Sequence, residues 1–200
     1  MDDRWFRLGD HGRYTAQTII EWIHEMARYR KLGRLALALL ILSSFIGCDQ
    51  ATKHYATETL QHSEVQSYLG DTVRFDYAQN PGGFLSLGSN LSPEVRFVIF
   101  VGFNLCVMVT IVGMLIYNWN AKLAVFASLS YILAGGIGNL IDRISNAGLV
   151  TDFVNVGVGP IRTGIFNVAD IGVLFGTMAL IYCLYQTADQ ESGQNPETAV

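Results

Sequence analysis

Four apolar runs separated by polar segments predict four membrane-crossing helices. Leu35 to Cys48 is uncharged but short, and crosses a bilayer only if its helix continues through Asp49, Gln50 and Lys53. Phe97 to Tyr117 is long enough alone, because about 20 residues at ~1.5 Å each cover the ~30 Å hydrocarbon core. Leu123 to Ile141 is a third run, bounded by Lys122 and Asp142. Ile165 to Tyr185 is a fourth, interrupted near its start by Asn167 and Asp170. Exposed irregular backbone cannot cross lipid, so four helices are the economical assignment.

The segments between the runs follow other periods. Alternation in Val65-Gln66-Ser67-Tyr68-Leu69 and Val73-Arg74-Phe75-Asp76-Tyr77 predicts a small hairpin, with Gly70-Asp71 at its turn. Ile19, Trp22, Ile23 and Met26 recur at helical spacing, with Glu21, Glu25, Arg28 and Lys31 on other faces. Residues 1–33 therefore read as an amphipathic extension on the cytoplasmic membrane surface, with a disordered extension as the plainer alternative, 34–187 as the four-helix domain and 188–200 as a flexible polar tail. The expected fold is an all-α membrane protein of four transmembrane helices with a small extracytoplasmic β element.

Composition agrees with this class. Half of the 200 residues are hydrophobic and only 15% are charged, and the mean hydropathy is +0.31; this profile is too apolar for a typical soluble domain. A formal charge of −4 without a basic stripe argues against a nucleic-acid partner. Cys48, Cys106 and Cys183 are odd in number and lie in apolar segments, which argues against a disulfide framework. The four histidines form no metal-binding spacing, so no metal and no cofactor are expected.

Charge also orients the spans. Arg28, Arg30, Lys31 and Arg34 crowd the entry to the first run and place the N-terminus in the cytoplasm; four crossings return the C-terminus to the same side. Asp49, Lys53, Asn139, Asp142, Arg143, Asp152 and Asp170 then all gather at the outer face. A carboxylate near lipid costs roughly 2.5–3.5 kcal/mol on insertion scales, so each is a functional candidate. Asp152, in Val150-Thr151-Asp152-Phe153 of the connection between the last two runs, and Asp170, in Phe166-Asn167-Val168-Ala169-Asp170 at the start of the fourth, suggest a general acid/base pair.

The accessory motifs admit plainer readings. Asp49 and Lys53 can pair at i,i+4 as a snorkelling ion pair. Asn139, Asp142 and Arg143 share a helix face, with bracing of the site the expected role for Arg143. The glycines of Gly135-Gly136-Ile137-Gly138 suit close helix packing better than nucleotide binding. Asn80-Pro81-Gly82-Gly83-Phe84-Leu85-Ser86 alone reads as an ordinary loop.

Together these motifs resemble the lipoprotein signal peptidases, or signal peptidases II, a family of bacterial membrane aspartyl proteases. The resemblance covers about residues 35–185 and rests on Asp49-Gln50-x-Thr52-Lys53, the Asn80/Gly82 loop, Gly138-Asn139-Leu140-Ile141-Asp142-Arg143, Asp152-Phe153 and Phe166-Asn167-Val168-Ala169-Asp170. It implies that Asp152 and Asp170 are the catalytic pair. It further implies that Asp49, Lys53, Asn80, Gly82, Asn139, Asp142, Arg143, Asn167 and Ala169 bind substrate or support the site. The implied substrate is a diacylglyceryl-modified prolipoprotein cleaved before its lipidated cysteine, in the inner membrane and among its lipids, by an enzyme working as a monomer. Two features depart from the family pattern. Phe84-Leu85 stand where Ala-Phe is usual before Ser86, and the stretch from Asp142 to Asp152 is one residue longer.

Three rival readings are weaker. An ion or proton transporter would place carboxylates along a pathway, whereas these cluster at one face. A serine–lysine protease using Lys53 lacks an identifiable nucleophile. Phe45-Ile46-Gly47-Cys48 looks like a lipobox, but three later spans make an anchor at Cys48 redundant.

Overall fold

The computed structural model describes residues 6, 7, 13–82 and 90–194; the Phe84-Leu85 departure lies outside them. Two compact units divide the chain, residues 1–39 and 40–200. In the first, strands β1 (Phe6–Arg7) and β2 (Arg13–Tyr14) pair antiparallel ahead of helix α1. Helix α1 (Ala16–Leu60) carries both the helical periodicity near residues 19–26 and the first apolar run.

The second unit holds the last part of α1, β3 (Gln66–Tyr68), β4 (Val73–Asn80), α2 (Pro93–Tyr117), α3 (Leu123–Ser145), β5 (Val150–Val158), β6 (Ile161–Arg162) and α4 (Val168–Gln194). Four helices are long and apolar enough to cross a membrane, and they contain the four predicted runs apart from Ile165, Phe166 and Asn167. Those three precede α4, because Asn167 caps its first turn and Phe166 forms a β-bridge with Val154. Helix α4 continues to Gln194, through the first part of the expected tail.

Helix α3 is central. Half of its most apolar window is buried, against 17% in α2 and in α4, whose remaining apolar faces suit lipid. Its small residues permit that approach: a Cβ on Gly135 would collide with the Ala169 carbonyl, and one on Gly136 with the Met108 side chain. Gly176 of α4 packs in the same way on Ser128 and Ile132.

The predicted hairpin exists, with Ser67 opposite Arg74 and Tyr68 opposite Val73. It belongs to a larger antiparallel sheet of order β3-β4-β5-β6 that the sequence did not announce. Asp152, expected in a connection, therefore lies on a strand, opposite Ala78. The sheet rests on the end of α1 through Phe153, Phe75, Tyr77 and Val154 against Ala56 and Leu60. Between α3 and β5 the chain reverses through a left-handed Ala147 (φ 52°) and Gly148 (φ 89°). The Gly148 N–H returns to the Arg143 carbonyl at 2.8 Å, a helix-ending motif that directs Val150 into the sheet.

Candidate active site

Asp152 and Asp170 meet at the start of α4. Asn167 is the N-cap of that helix: its Oδ1 accepts the Asp170 N–H at 3.0 Å, and its own N–H donates to Asp170 Oδ2 at 3.2 Å. This reciprocal arrangement is a capping box, and it fixes the Asp170 carboxyl group against the helix end. The remaining polar side-chain atom of Asn167, Nδ2, donates to Asp152 Oδ1 at 2.6 Å and also to Asn139 Oδ1 at 3.2 Å. One side chain thus registers both aspartates.

Each aspartate has a second amide donor. Asn139 Nδ2 reaches Asp170 Oδ1 at 2.9 Å, and Asn80 Nδ2 reaches Asp152 Oδ2 at 3.0 Å. The orientation of Asn80 is set by an Asx turn in which its Oδ1 accepts the Gly82 N–H at 3.0 Å. The Gly82 carbonyl in turn accepts from Arg143 Nη2 at 2.9 Å, and the guanidinium lies over the Phe100 ring, 5.6 Å from its centroid. Arg143 braces the Asn80 loop rather than pairing with Asp142.

Asp142 pairs instead with Lys53. The Lys53 ammonium, 4% exposed, lies 2.9 Å from Asp49 Oδ2 and 3.2 Å from Asp142 Oδ2, and donates to Asn139 Oδ1 at 3.0 Å. Burying these charges is tolerable because every one is compensated. Asp49 Oδ1 accepts the Ala169 N–H of α4 at 2.8 Å, so α1 caps a second amide of that helix. Asp142 Oδ2 accepts the Thr151 N–H at 2.9 Å and pins β5 one residue before Asp152. A Cβ at position 138 would stand 2.5 Å from Asp49 Oδ2, which accounts for Gly138.

Burial raises the Asp152 carboxyl to about 6, and the neighbouring Asp170 charge pushes in the same direction; hydrogen bonds from Asn80 and Asn167 and the charge of Lys53 oppose them. A carboxyl shifted this way keeps a proton where an ordinary aspartate has lost it. Among the described residues no group of three or more His, Cys, Asp or Glu is arranged to hold a metal ion.

A family model described as signal peptidase (SPase) II matches residues 20–186. The chain belongs to the signal peptidase II family. It is 32% identical to the lipoprotein signal peptidase of Moorella thermoacetica over 81% of this chain and 98% of that relative. The lipoprotein signal peptidase of Desulforapulum autotrophicum is 33% identical over 76% of this chain and 92% of its own length. A bacterial membrane enzyme solved by the in meso method at 2.3 Å resolution shares the fold, with TM-score 0.66 and 22% identity, over 80% of this chain and 92% of that one. This signal peptidase II is accordingly a multi-pass membrane endopeptidase of the aspartic class, and its relatives lend no support to a transporter.

All eleven site residues singled out in the sequence of this signal peptidase II fall into one connected cluster. Sequence reasoning placed Gln50 in a motif but gave it no role; its Nε2 shares its two hydrogens among Asp49 Oδ2 (3.1 Å), Gly138 O (3.2 Å) and Asp142 Oδ1 (3.0 Å). It also missed Phe100 beneath Arg143, and Asn104, whose amide donates to the Gly136 carbonyl at 3.3 Å from within the apolar α2. A polar residue inside a membrane-length run was a signal for Asn104; nothing distinguished Phe100 from its apolar neighbours.

Proposed function

We propose that Asp152 and Asp170 are the catalytic dyad of this endopeptidase, and that it releases the signal peptide of a prolipoprotein by cutting just before a diacylglyceryl-modified cysteine. The observation that carries the reading is Asn167, which donates its amide to one carboxyl group while its backbone and Oδ1 fix the other. Two close carboxyl groups resist double ionisation and share a proton. The ionised member accepts a proton from water as the water oxygen attacks the scissile carbonyl carbon. The protonated member donates to the carbonyl oxygen. The tetrahedral intermediate then collapses, its C–N bond breaks, and a proton from the dyad reaches the departing amine. The two titrations belong to the pair, so the first base is not assigned to either residue.

Asn80, Gly82, Asn139, Asn167 and Arg143 orient the dyad and its loop, while Asp49, Lys53, Asp142 and Ala169 lock α1, α3, β5 and α4 around it. The basic cluster from Arg28 to Arg34 supports a cytoplasmic N-terminus. With four crossings, the C-terminus is cytoplasmic too and the dyad faces outward, where the substrate's lipid stays in the bilayer and its scissile bond meets water.

The test is cleavage of a lipid-modified prolipoprotein peptide by purified protein, with products identified by mass. Wild type should cut once, before the modified cysteine, and Asp152→Asn and Asp170→Asn should each lose roughly 10²–10⁴-fold in turnover while still inserting. Near-normal turnover in either variant removes that residue from the dyad. Cleavage at another bond overturns the substrate reading.

A further inference from the structure

Gln50 touches neither aspartate of the dyad, yet it stands where the supports of both converge. Its side-chain amide, half-buried on α1, faces three oxygens: Asp49 Oδ2, the Gly138 carbonyl and Asp142 Oδ1. All three are acceptors, so the NH2 end of the amide and not its oxygen points at them.

The neighbouring cation cannot serve all of these acceptors. An ammonium carries three hydrogens, and those of Lys53 are committed to Asp49 Oδ2, Asp142 Oδ2 and Asn139 Oδ1. The Thr151 N–H donates to the same Asp142 Oδ2 at 2.9 Å. Asp142 Oδ1 is left to Gln50, at 3.0 Å, and among the described residues no other donor reaches it. A carboxylate is planar, so fixing Oδ1 fixes the rotation that aims Oδ2 at the Thr151 amide. Without that bond the group is free to turn both oxygens toward the Lys53 ammonium, because hydrogen bonds from a charged donor are the stronger ones. The Thr151 N–H would then lose its acceptor.

We propose that Gln50 is a positioning residue for the hydrolysis: by holding Asp142 Oδ1 it keeps Asp142 Oδ2 on the Thr151 N–H, and so keeps Asp152 in register with Asp170. Thr151 immediately precedes Asp152, and a shift of β5 there draws Asp152 away from the amides of Asn80 and Asn167 that hold its two oxygens. The bond to the Gly138 carbonyl serves the other half of the dyad, since Asn139 follows directly and donates to Asp170 Oδ1. The effect on turnover rests on the dyad reading above; the grip on Thr151 does not, and is measured separately.

Two variants separate the donor from the space it fills. Gln50→Met matches the length and bulk of glutamine without an N–H, whereas Gln50→His keeps a ring N–H at similar reach in a different shape. In full-length protein in detergent, kcat and KM are measured with the lipid-modified prolipoprotein peptide. Hydrogen exchange of the Thr151 amide is followed by NMR on protein carrying isotope-labelled threonine. Gln50→Met should speed exchange at Thr151 and lower kcat about 10–100-fold, the penalty for a misplaced reacting group, while KM stays within about twofold. Gln50→His should recover most of both losses. Unchanged exchange in Gln50→Met would show that Gln50 does not hold Asp142 in place, and would overturn the proposal. Faster exchange with kcat unchanged, equal losses in the two variants, or failure of Gln50→Met to insert would make Gln50 a residue of the fold alone, and would overturn it equally. Failure of the dyad reading looks different: Asp152→Asn or Asp170→Asn then keeps near-normal turnover, whatever the exchange at Thr151.

Discussion

Asn80 and Asn167 each hold one oxygen of Asp152, and both bonds favour the ionised carboxylate. Burial and Asp170 work against them and leave Asp152 with a proton up to about 6. The sign for activity follows. The proposed dyad needs one proton to polarise the carbonyl, so rising pH removes the acid and turnover falls on the alkaline side. Asn80→Ala deletes a bond to the charged form, which raises the Asp152 value further and moves the alkaline limb to higher pH. A pH profile of kcat/KM for wild type and Asn80→Ala measures this, and a limb that stays put or moves down contradicts the assignment. At this scale the sequence was informative about the aspartates, because a carboxylate beside lipid is conspicuous alone. It gave Gln50 a place in a motif but no role, because that role depends on partners 88 and 92 positions away.

At the scale of elements, Lys53 is the shared cation of two helices. It neutralises Asp49 on its own helix and Asp142 on α3, and these carboxylates hold the Ala169 and Thr151 amides. Removing Lys53 alone leaves two buried carboxylates facing one another, a loss of about 3–5 kcal/mol by the usual cost of breaking a buried pair. Removing Asp49 as well relieves part of that strain. The double variant Asp49→Ala/Lys53→Ala should therefore be more stable than the summed single losses imply, with a coupling of about 0.5–3 kcal/mol. Unfolding of the four proteins in detergent gives the coupling directly, and strict additivity would show that the two side chains act separately. The helices were legible because long apolar runs have few alternatives in a membrane. The strand bearing Asp152 was not, since Val150-Thr151-Asp152-Phe153-Val154 lacks clean alternation and its pairing with β4, far earlier in the chain, depends on a register invisible in sequence.

At the scale of the whole molecule, every residue of the candidate site lies in the unit formed by residues 40–200, and none in residues 1–39. The family match begins at residue 20, so the first 19 residues lie outside it. The chemistry should consequently survive removal of residues 1–31, which leaves the apolar run, Asp49 and Lys53 intact. Insertion has different requirements. Arg28, Arg30 and Lys31 supply most of the positive charge at the entry to the first span, and under the proposed topology their loss weakens the bias toward a cytoplasmic N-terminus. The truncated protein is therefore expected to accumulate in lower yield, while the correctly inserted fraction turns over a lipid-modified peptide in detergent within about twofold of wild type. Restoring three lysines ahead of Leu35 should recover yield without altering turnover. A large fall in kcat for correctly inserted protein, not recovered by those lysines, would assign residues 1–31 a part in catalysis beyond orientation.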